Sequence, residues 1–441
     1  MNIHMRSTLS GAPGGRRRRS EGVAMTQRPR HHHAAIALLA VVSLMLAGLA
    51  SAAGASTATK DTPAPDGLPA FYSVPQPLKG KPGALLKSEK VKAPGMHGTV
   101  YRVMYLSSTL TGDKPVAVTG TMVVPDGTAP KGGFPVVSWA HGTNGMADLC
   151  APSLDPAKNT DIANLLLDQG WIITASDYRG EGTPGLMPYI AGETEGRDVI
   201  DIVRAADHLP AAHASKNYVV WGHSQGGHSA VFAHHIATDY APELHSKGVV
   251  AGAPPSQFNL IYTFLKTSPF RYYLAMAAGG LNAAYGDEAA PLDQVLTAKG
   301  LAALPDLDKM CSGDLAKKYG AVDVSSIVAA DPFTVPAWKA LFTENDPQSF
   351  DAPSSVPLLM IQGGNDEQIP VVSTKILADH LCGIGQGLER WVYPGASHGG
   401  VVAVSAKDMV HWINDRFTGD AEPGSFTPTG ATGIDISGCP A

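Results

Sequence analysis

YVVWGHSQGGHSA, running from Tyr218 to Ala230, joins a strand, a tight turn and the start of a helix in one stretch. Tyr218, Val219, Val220 and Trp221 form an apolar, β-prone run, Gly222 to Gly226 fit G-x-S-x-G, and Ser229 to His235 continue as a helix. Strand, turn and helix in that order is the context of a nucleophile elbow. Ser224 must then sit in a strained turn so that its hydroxyl stands clear of the backbone. Side chains at 222 and 226 would collide with the neighbouring strand and helix, which explains glycine at both. The bare pattern also arises by chance in glycine-rich chains; the flanking strand and helix, with Gly227 following, separate it from a turn holding an incidental serine.

Outward from the elbow, strand and helix signals alternate. Thr99 to Ser107 and Pro115 to Val124 alternate in the manner of strands, and Phe134 to Ala140 is shorter and almost wholly apolar. It runs into the polar loop His141-Gly142-Thr143-Asn144-Gly145. Asp161 to Gln169 reads as a helix stopped by Gly170, Trp171 to Ala175 as a strand, and Glu193 to Leu209 as a helix ended by Pro210. Gly248 to Gly252 is another buried strand. From Pro255 to about Ala352 no strand signal appears, and the block carries an aromatic cluster from Phe258 to Met276. Strands return at Val356 to Ile361 and Glu389 to Tyr393, with a helix ending near Cys382 between them and a last helix from Val401 to Phe417. Asp61 to Pro94 reads as a Pro-rich lead-in, and the Gly/Pro/Thr-rich tail resembles a loose end except for Cys439. Continuously apolar strands alternating with helices indicate a mostly parallel sheet covered on both faces. Residues 53–254 and 353–441 form its core, and residues 255–352 are a helical insertion.

The N-terminus belongs to export rather than to the fold. Arg28 and Arg30 precede an apolar run from Ala34 to Leu49, too short to span a bilayer comfortably, and A-x-A triplets end at Ala52 and Ala55. Residues 1–52 are read as a signal peptide with an N-terminal extension, cleaved near Ala52 or Ala55, with Met25 a candidate start of translation. Their removal takes away seven Arg and one Glu and shifts the formal charge from −6 to −12. An acidic mature chain without a basic stripe argues against nucleic acid as a partner. Cys150, Cys311, Cys382 and Cys439 make an even count in an exported chain, which suggests two disulfides in one of three pairings. None is spaced C-x-x-C, so neither a structural zinc nor a thioredoxin-like site is expected.

A serine hydroxyl needs a base to take its proton, and the base needs a carboxylate to fix its tautomer. His398, in the loop PGASHGG after the strand ending at Tyr393, is the expected base. Asp366, in GGNDEQIP after Ile361, is the expected acid, with Glu367 and Asp346 as rivals. The order Ser, acid, His and the positions after strands match an α/β-hydrolase. Two donors must face the developing oxyanion. The Gln225 N–H supplies one, and Thr143, with Asn144 as its rival, supplies the other from the loop after Phe134 to Ala140. His141 is read as bracing that loop.

AHGTNG with CAPS (Ala140 to Ser153), DYRGEGTPG (Asp177 to Gly185), GHSQGG, GGNDEQIP and ASHGG together resemble the secretory lipase family, over roughly Pro69 to Phe417. The resemblance implies an α/β-hydrolase with a helical cap, acting on carboxylic esters through Ser224, Asp366 and His398. It further implies that Cys150 pairs with Cys311 and Cys382 with Cys439, and that the cap sets acyl-chain preference. The expected protein is a secreted serine esterase or lipase without metal or organic cofactor. Its expected partner is an ester or lipid small molecule, with a transient contact at a lipid interface as a further expectation. Rivals are an acyltransferase or peptidase on the same triad, and a non-catalytic binding protein on this fold. The aromatic cluster is either an acyl-binding lid or the cap's own core.

Overall fold

Apolar strands joined through helices can pair their backbone groups side by side in a parallel sheet covered on both faces, and such a sheet organises the computed structural model. The structure describes residues 60–110, 114–419, 426–430 and 432–440. The export segment and both cleavage triplets lie outside them. Among the described residues one sheet carries β1 (Leu85–Val91), β2 (Gly98–Ser108), β3 (Pro115–Pro125), β4 (Phe134–Ala140), β5 (Ile172–Ser176), β6 (Ala214–His223), β7 (His245–Gly252), β8 (Leu358–Gly363), β9 (Leu388–Tyr393) and β10 (Asp435–Cys439). The spatial order is β1-β2-β3-β5-β4-β6-β7-β8-β9-β10. From β5 to β9 all neighbours are parallel, and β1, β2, β3 and β10 join antiparallel.

The central strands are apolar without alternation because both faces are covered. Val136, Val220, Val249 and Met360 face a core shared with α2 (Gly192–Asp207), α3 (Gln225–Tyr240) and α9 (Val371–Gly383). Val137, Val219, Val250 and Leu359 face the opposite core, with α1 (Thr160–Leu167) and α10 (Gly400–Thr418). In α2 the residues Val199, Ile202, Val203 and Ala206 are all buried, as helical spacing requires.

Between β7 and β8 the chain builds α4 (Phe258–Leu265), α5 (Tyr272–Ala289), α6 (Ala298–Ala303), α7 (Ser312–Tyr319) and α8 (Pro336–Glu344), with 3₁₀ turns between them and no strand. Thr297 caps α6 by accepting the Gly300 N–H at 3.0 Å, and Pro336 opens α8, where a missing N–H costs nothing. Phe258, Ile261, Leu265, Tyr272 and Met276 are buried here, while Phe264 stays exposed.

Two strands escape the sequence reading. β1 lies within the lead-in and β10 within the tail, and both are edge strands rich in polar, exposed residues. An edge strand buries little, so its sequence carries no apolar period to find. β10 is held against β9 beside the Cys382–Cys439 disulfide, and the other disulfide joins Cys150 to Cys311.

Candidate active site

Ser224 follows the last residue of β6 and precedes α3, with φ 61° and ψ −124°. That backbone is one an L-residue adopts at a cost of roughly 1–3 kcal/mol, which surrounding contacts must offset. The Ser224 N–H donates to Gly252 O at 2.8 Å, pinning the turn to β7. A Cβ at Gly222 would lie 2.0 Å from Gly226 O, and one at Gly226 would lie 1.9 Å from Ala140 O. The helix start therefore seats directly on β4, and the turn can exist only with glycine at both places.

Asp366 and His398 follow β8 and β9, which are paired neighbours, so their loops meet. His398 Nδ1–H donates to Asp366 Oδ2 at 2.8 Å. Asp366 Oδ2 also accepts from Gln362 Nε2 at 2.8 Å, and Oδ1 accepts the Gln368 and Ile369 amides at 2.9 and 2.8 Å. Burial alone would raise this carboxyl, but the His398 hydrogen bond and charge and the two amides outweigh it and hold the pKa below its ordinary value. The rivals do other work. Glu367 accepts the backbone N–H of His398 at 3.0 Å, and Asp346 accepts the Phe258 and Gln348 amides at 2.9 and 3.0 Å.

Ser224, His398, Thr143 and Asn144 line one cleft of about 560 Å³. Gly142 brings the loop after β4 across the elbow, its ideal Cβ position only 3.6 Å from Ser224 Cβ. Gln225 is the first residue of α3, so its N–H has no partner within the helix. The Thr143 hydroxyl pairs with Tyr189 Oη at 2.9 Å. Ser312, beside the Cys150–Cys311 disulfide, donates its N–H to Asn144 O at 2.7 Å and its hydroxyl to Thr143 O at 3.2 Å. His141 donates from Nδ1 to Gly142 O at 2.8 Å and packs its ring 4.5 Å from Tyr178, as a brace would.

Several groups around the site have no role in the sequence reading. The His223 ring lies 4.6 Å from that of His398, and burial, then the His398 charge, push its pKa down to about 3, so it is neutral. Glu195, fully buried, accepts from Gln225 Nε2 (2.9 Å), the Ser229 hydroxyl (2.6 Å) and the Ile190 N–H (2.9 Å), tying the first turn of α3 to α2. Its signal was present: Glu195 stands four residues before Val199 and seven before Ile202, on the apolar stripe of α2. Glu181, also fully buried, has no hydrogen-bond partner for either side-chain oxygen, and His141 Nε2 lies 3.9 Å away. Burial, and then the charges of Asp177 and Glu195, raise the Glu181 pKa well above its ordinary value. Among the described residues no group of three or more His, Cys, Asp or Glu is placed to hold a metal ion.

A profile described as secretory lipase matches residues 157–424. The secreted triacylglycerol lipase LIP4 of Malassezia globosa is 28% identical over 376 residues, which cover 79% of this chain and 80% of that protein. Candida antarctica lipase A in its closed state superposes with a TM-score of 0.68 at 23% identity, over 82% of this chain and 86% of that one. The rice cell wall degrading esterase LipA of Xanthomonas oryzae gives 0.64 at 17% identity, over 78% of this chain and the whole of that one. These last two likenesses concern the fold.

Proposed function

The chain belongs to the secretory lipase family and is a carboxylic-ester hydrolase, and from that premise we propose that Ser224, His398 and Asp366 carry its reaction. Ser224 Oγ attacks the ester carbonyl while His398 Nε2 takes its proton. The amides of Gln225 and Thr143 hold the tetrahedral oxyanion, and Asp366 keeps the imidazole in the tautomer that leaves Nε2 free. Collapse expels the alcohol, which receives the proton from His398. Water then attacks the acyl-serine with His398 again as base, and the acid leaves. The observation that carries this reading is the 2.8 Å His398–Asp366 hydrogen bond within the cleft that Ser224 enters from its strained turn.

The helical block between β7 and β8 is the cap. A cavity of about 80 Å³ reaches from Ser224 into it, walled by Ile190, Phe258, Ile261, Leu296 and Phe342. The aromatic cluster is thus both the core of the cap and the wall of an apolar space fitted to an acyl chain. The substrates are esters of apolar acids, triacylglycerols among them, and the protein acts outside the cell after cleavage near Ala52 or Ala55. Relatives named as secreted and two disulfides support that location.

The test is the hydrolysis of p-nitrophenyl esters of increasing acyl length by wild type and Ser224→Ala. Loss of the nucleophile is expected to lower kcat by about 10⁶-fold. A Ser224→Ala protein that keeps its rate would end the proposal, and the chain-length optimum measures the depth of the cap cavity.

A further inference from the structure

The two expected oxyanion donors belong to different elements, and one chain of contacts joins them. Gln225 opens α3, whereas Thr143 lies in the loop after β4. Gln225 Nε2 donates to Oε1 of the buried Glu195 at 2.9 Å. The same oxygen accepts the Ile190 N–H at 2.9 Å, from the segment between β5 and α2. Next to Ile190, the Tyr189 hydroxyl pairs with that of Thr143 at 2.9 Å. Ile190 has φ 58°, a left-handed backbone that a β-branched residue adopts only where its surroundings impose it. Those surroundings are tight. Glu195 of α2 grips the Ile190 amide, and α5 of the cap sits directly on the backbone before it, where a Cβ on Gly280 would lie 2.5 Å from Tyr189 N and O.

Burial holds the Tyr189 phenol above its ordinary pKa, so at neutral pH it stays a hydroxyl able to hold Thr143. Its ring walls the cap cavity beside Ser224, while Thr143 lines the cleft shared by Ser224 and His398. The hydroxyl pair thus fastens the loop after β4 to a segment that cannot shift. An oxyanion donor works only when fixed in advance at hydrogen-bond distance from the developing charge. A displacement of about 1 Å costs on the order of 100-fold in rate. Gly142 and Gly145 flank Thr143 and Asn144, so the loop has little stiffness of its own. We propose that Tyr189 is a positioning residue for ester hydrolysis: held by Glu195 and α5, it sets the Thr143 amide at a fixed place relative to that of Gln225. The assignment rests on the reading of Ser224 as nucleophile and of Gln225 and Thr143 as oxyanion donors.

The experiment compares wild type with Tyr189→Phe, Thr143→Val and the two combined, on p-nitrophenyl butanoate and decanoate. Each single change removes one hydroxyl and keeps the ring or the branched side chain, so the wall of the cap cavity stays filled. Expected is a fall of about tenfold in kcat and in kcat/KM alike, with KM within about twofold, the mark of a contact that serves only the transition state. The loss should be the same for both acyl chains. Because the two hydroxyls make one bond, the double variant should also lose about tenfold, not the product of about a hundredfold. Hexyl trifluoromethyl ketone supplies a second readout. Ser224 Oγ bonds to its carbonyl carbon, the serine proton passes to His398 and the carbonyl oxygen becomes an oxyanion, so its inhibition should weaken by the same factor. A Tyr189→Phe protein with the wild-type kcat, a loss confined to KM or to the longer chain, or losses that multiply in the double variant overturns the proposal. Ser224→Ala separates the two readings: if it keeps its turnover, the nucleophile falls and Tyr189 with it, and if it has none, the Tyr189 results decide alone.

Discussion

The turn after β6 and the loop after β4 reach the same cleft, yet they are held by opposite means. Exclusion holds the turn: Gly222 and Gly226 leave no room for a single carbon between β4, the turn and α3. Attachment holds the loop, through the Cys150–Cys311 disulfide and two hydrogen bonds from Ser312, which is distant in the chain. A feature made by exclusion is written into its own few residues. A feature made by attachment depends on what the rest of the fold brings to it.

The comparison breaks most visibly at Gly226. Gly226→Ala would force a methyl against the Ala140 carbonyl at 1.9 Å, backbone against helix, with no flexible side chain to yield. Expected is a loss of more than about 3 kcal/mol, with hydrolysis abolished, read by thermal unfolding and ester turnover. A well-folded, active Gly226→Ala protein would show that the turn is not held by exclusion.

The attached loop should fail more gently. With Cys150→Ala and Cys311→Ala combined, stability is expected to fall by roughly 2–4 kcal/mol. Turnover should fall by less than the ~100-fold of a lost oxyanion donor, because the Ser312 hydrogen bonds remain. Unchanged turnover in this double variant would mean the disulfide does not serve the loop.

The smallest effect on activity is expected at Glu181, beneath the same loop. Its folded pKa is raised, so the native state binds that proton more tightly than the unfolded chain does. The stability this gives is full at low pH and is lost as pH rises above the unfolded value of about 4.3, at about 1.4 kcal/mol per unit. Glu181→Gln keeps a neutral group of the same shape and removes that slope. Its melting temperature should therefore gain on wild type as pH rises above about 5, with hydrolysis nearly unchanged. A constant difference across that range would show that Glu181 is ionised in the folded protein.

What could be read from the sequence follows the same division. The central strands announce themselves because burial on both faces demands unbroken apolar runs such as Val219 to Trp221 and Val249 to Ala251. The meeting of Asp366 and His398 is legible because each follows a strand and those strands are paired neighbours. Glu195 was harder, since an acid on a helix is ordinarily solvated and only its place on the apolar stripe of α2 marks it as buried. Glu181 gave no local sign at all. Its burial comes from the packing of the loop after β5 against residues far away in the chain. The edge strands were invisible for the reason that makes them edges, a lack of buried apolar surface.

The C-terminal strand has a practical consequence. β9 carries Trp391, Val392 and Tyr393, and without β10 its open backbone would be a ready template for a second chain, whereas β10 presents a short, polar margin instead. That covering is clasped by Cys382 and Cys439. Recombinant material made in a reducing cytoplasm would emerge with this flap unfastened and a tendency to clump, so an oxidising compartment is the setting in which to produce it.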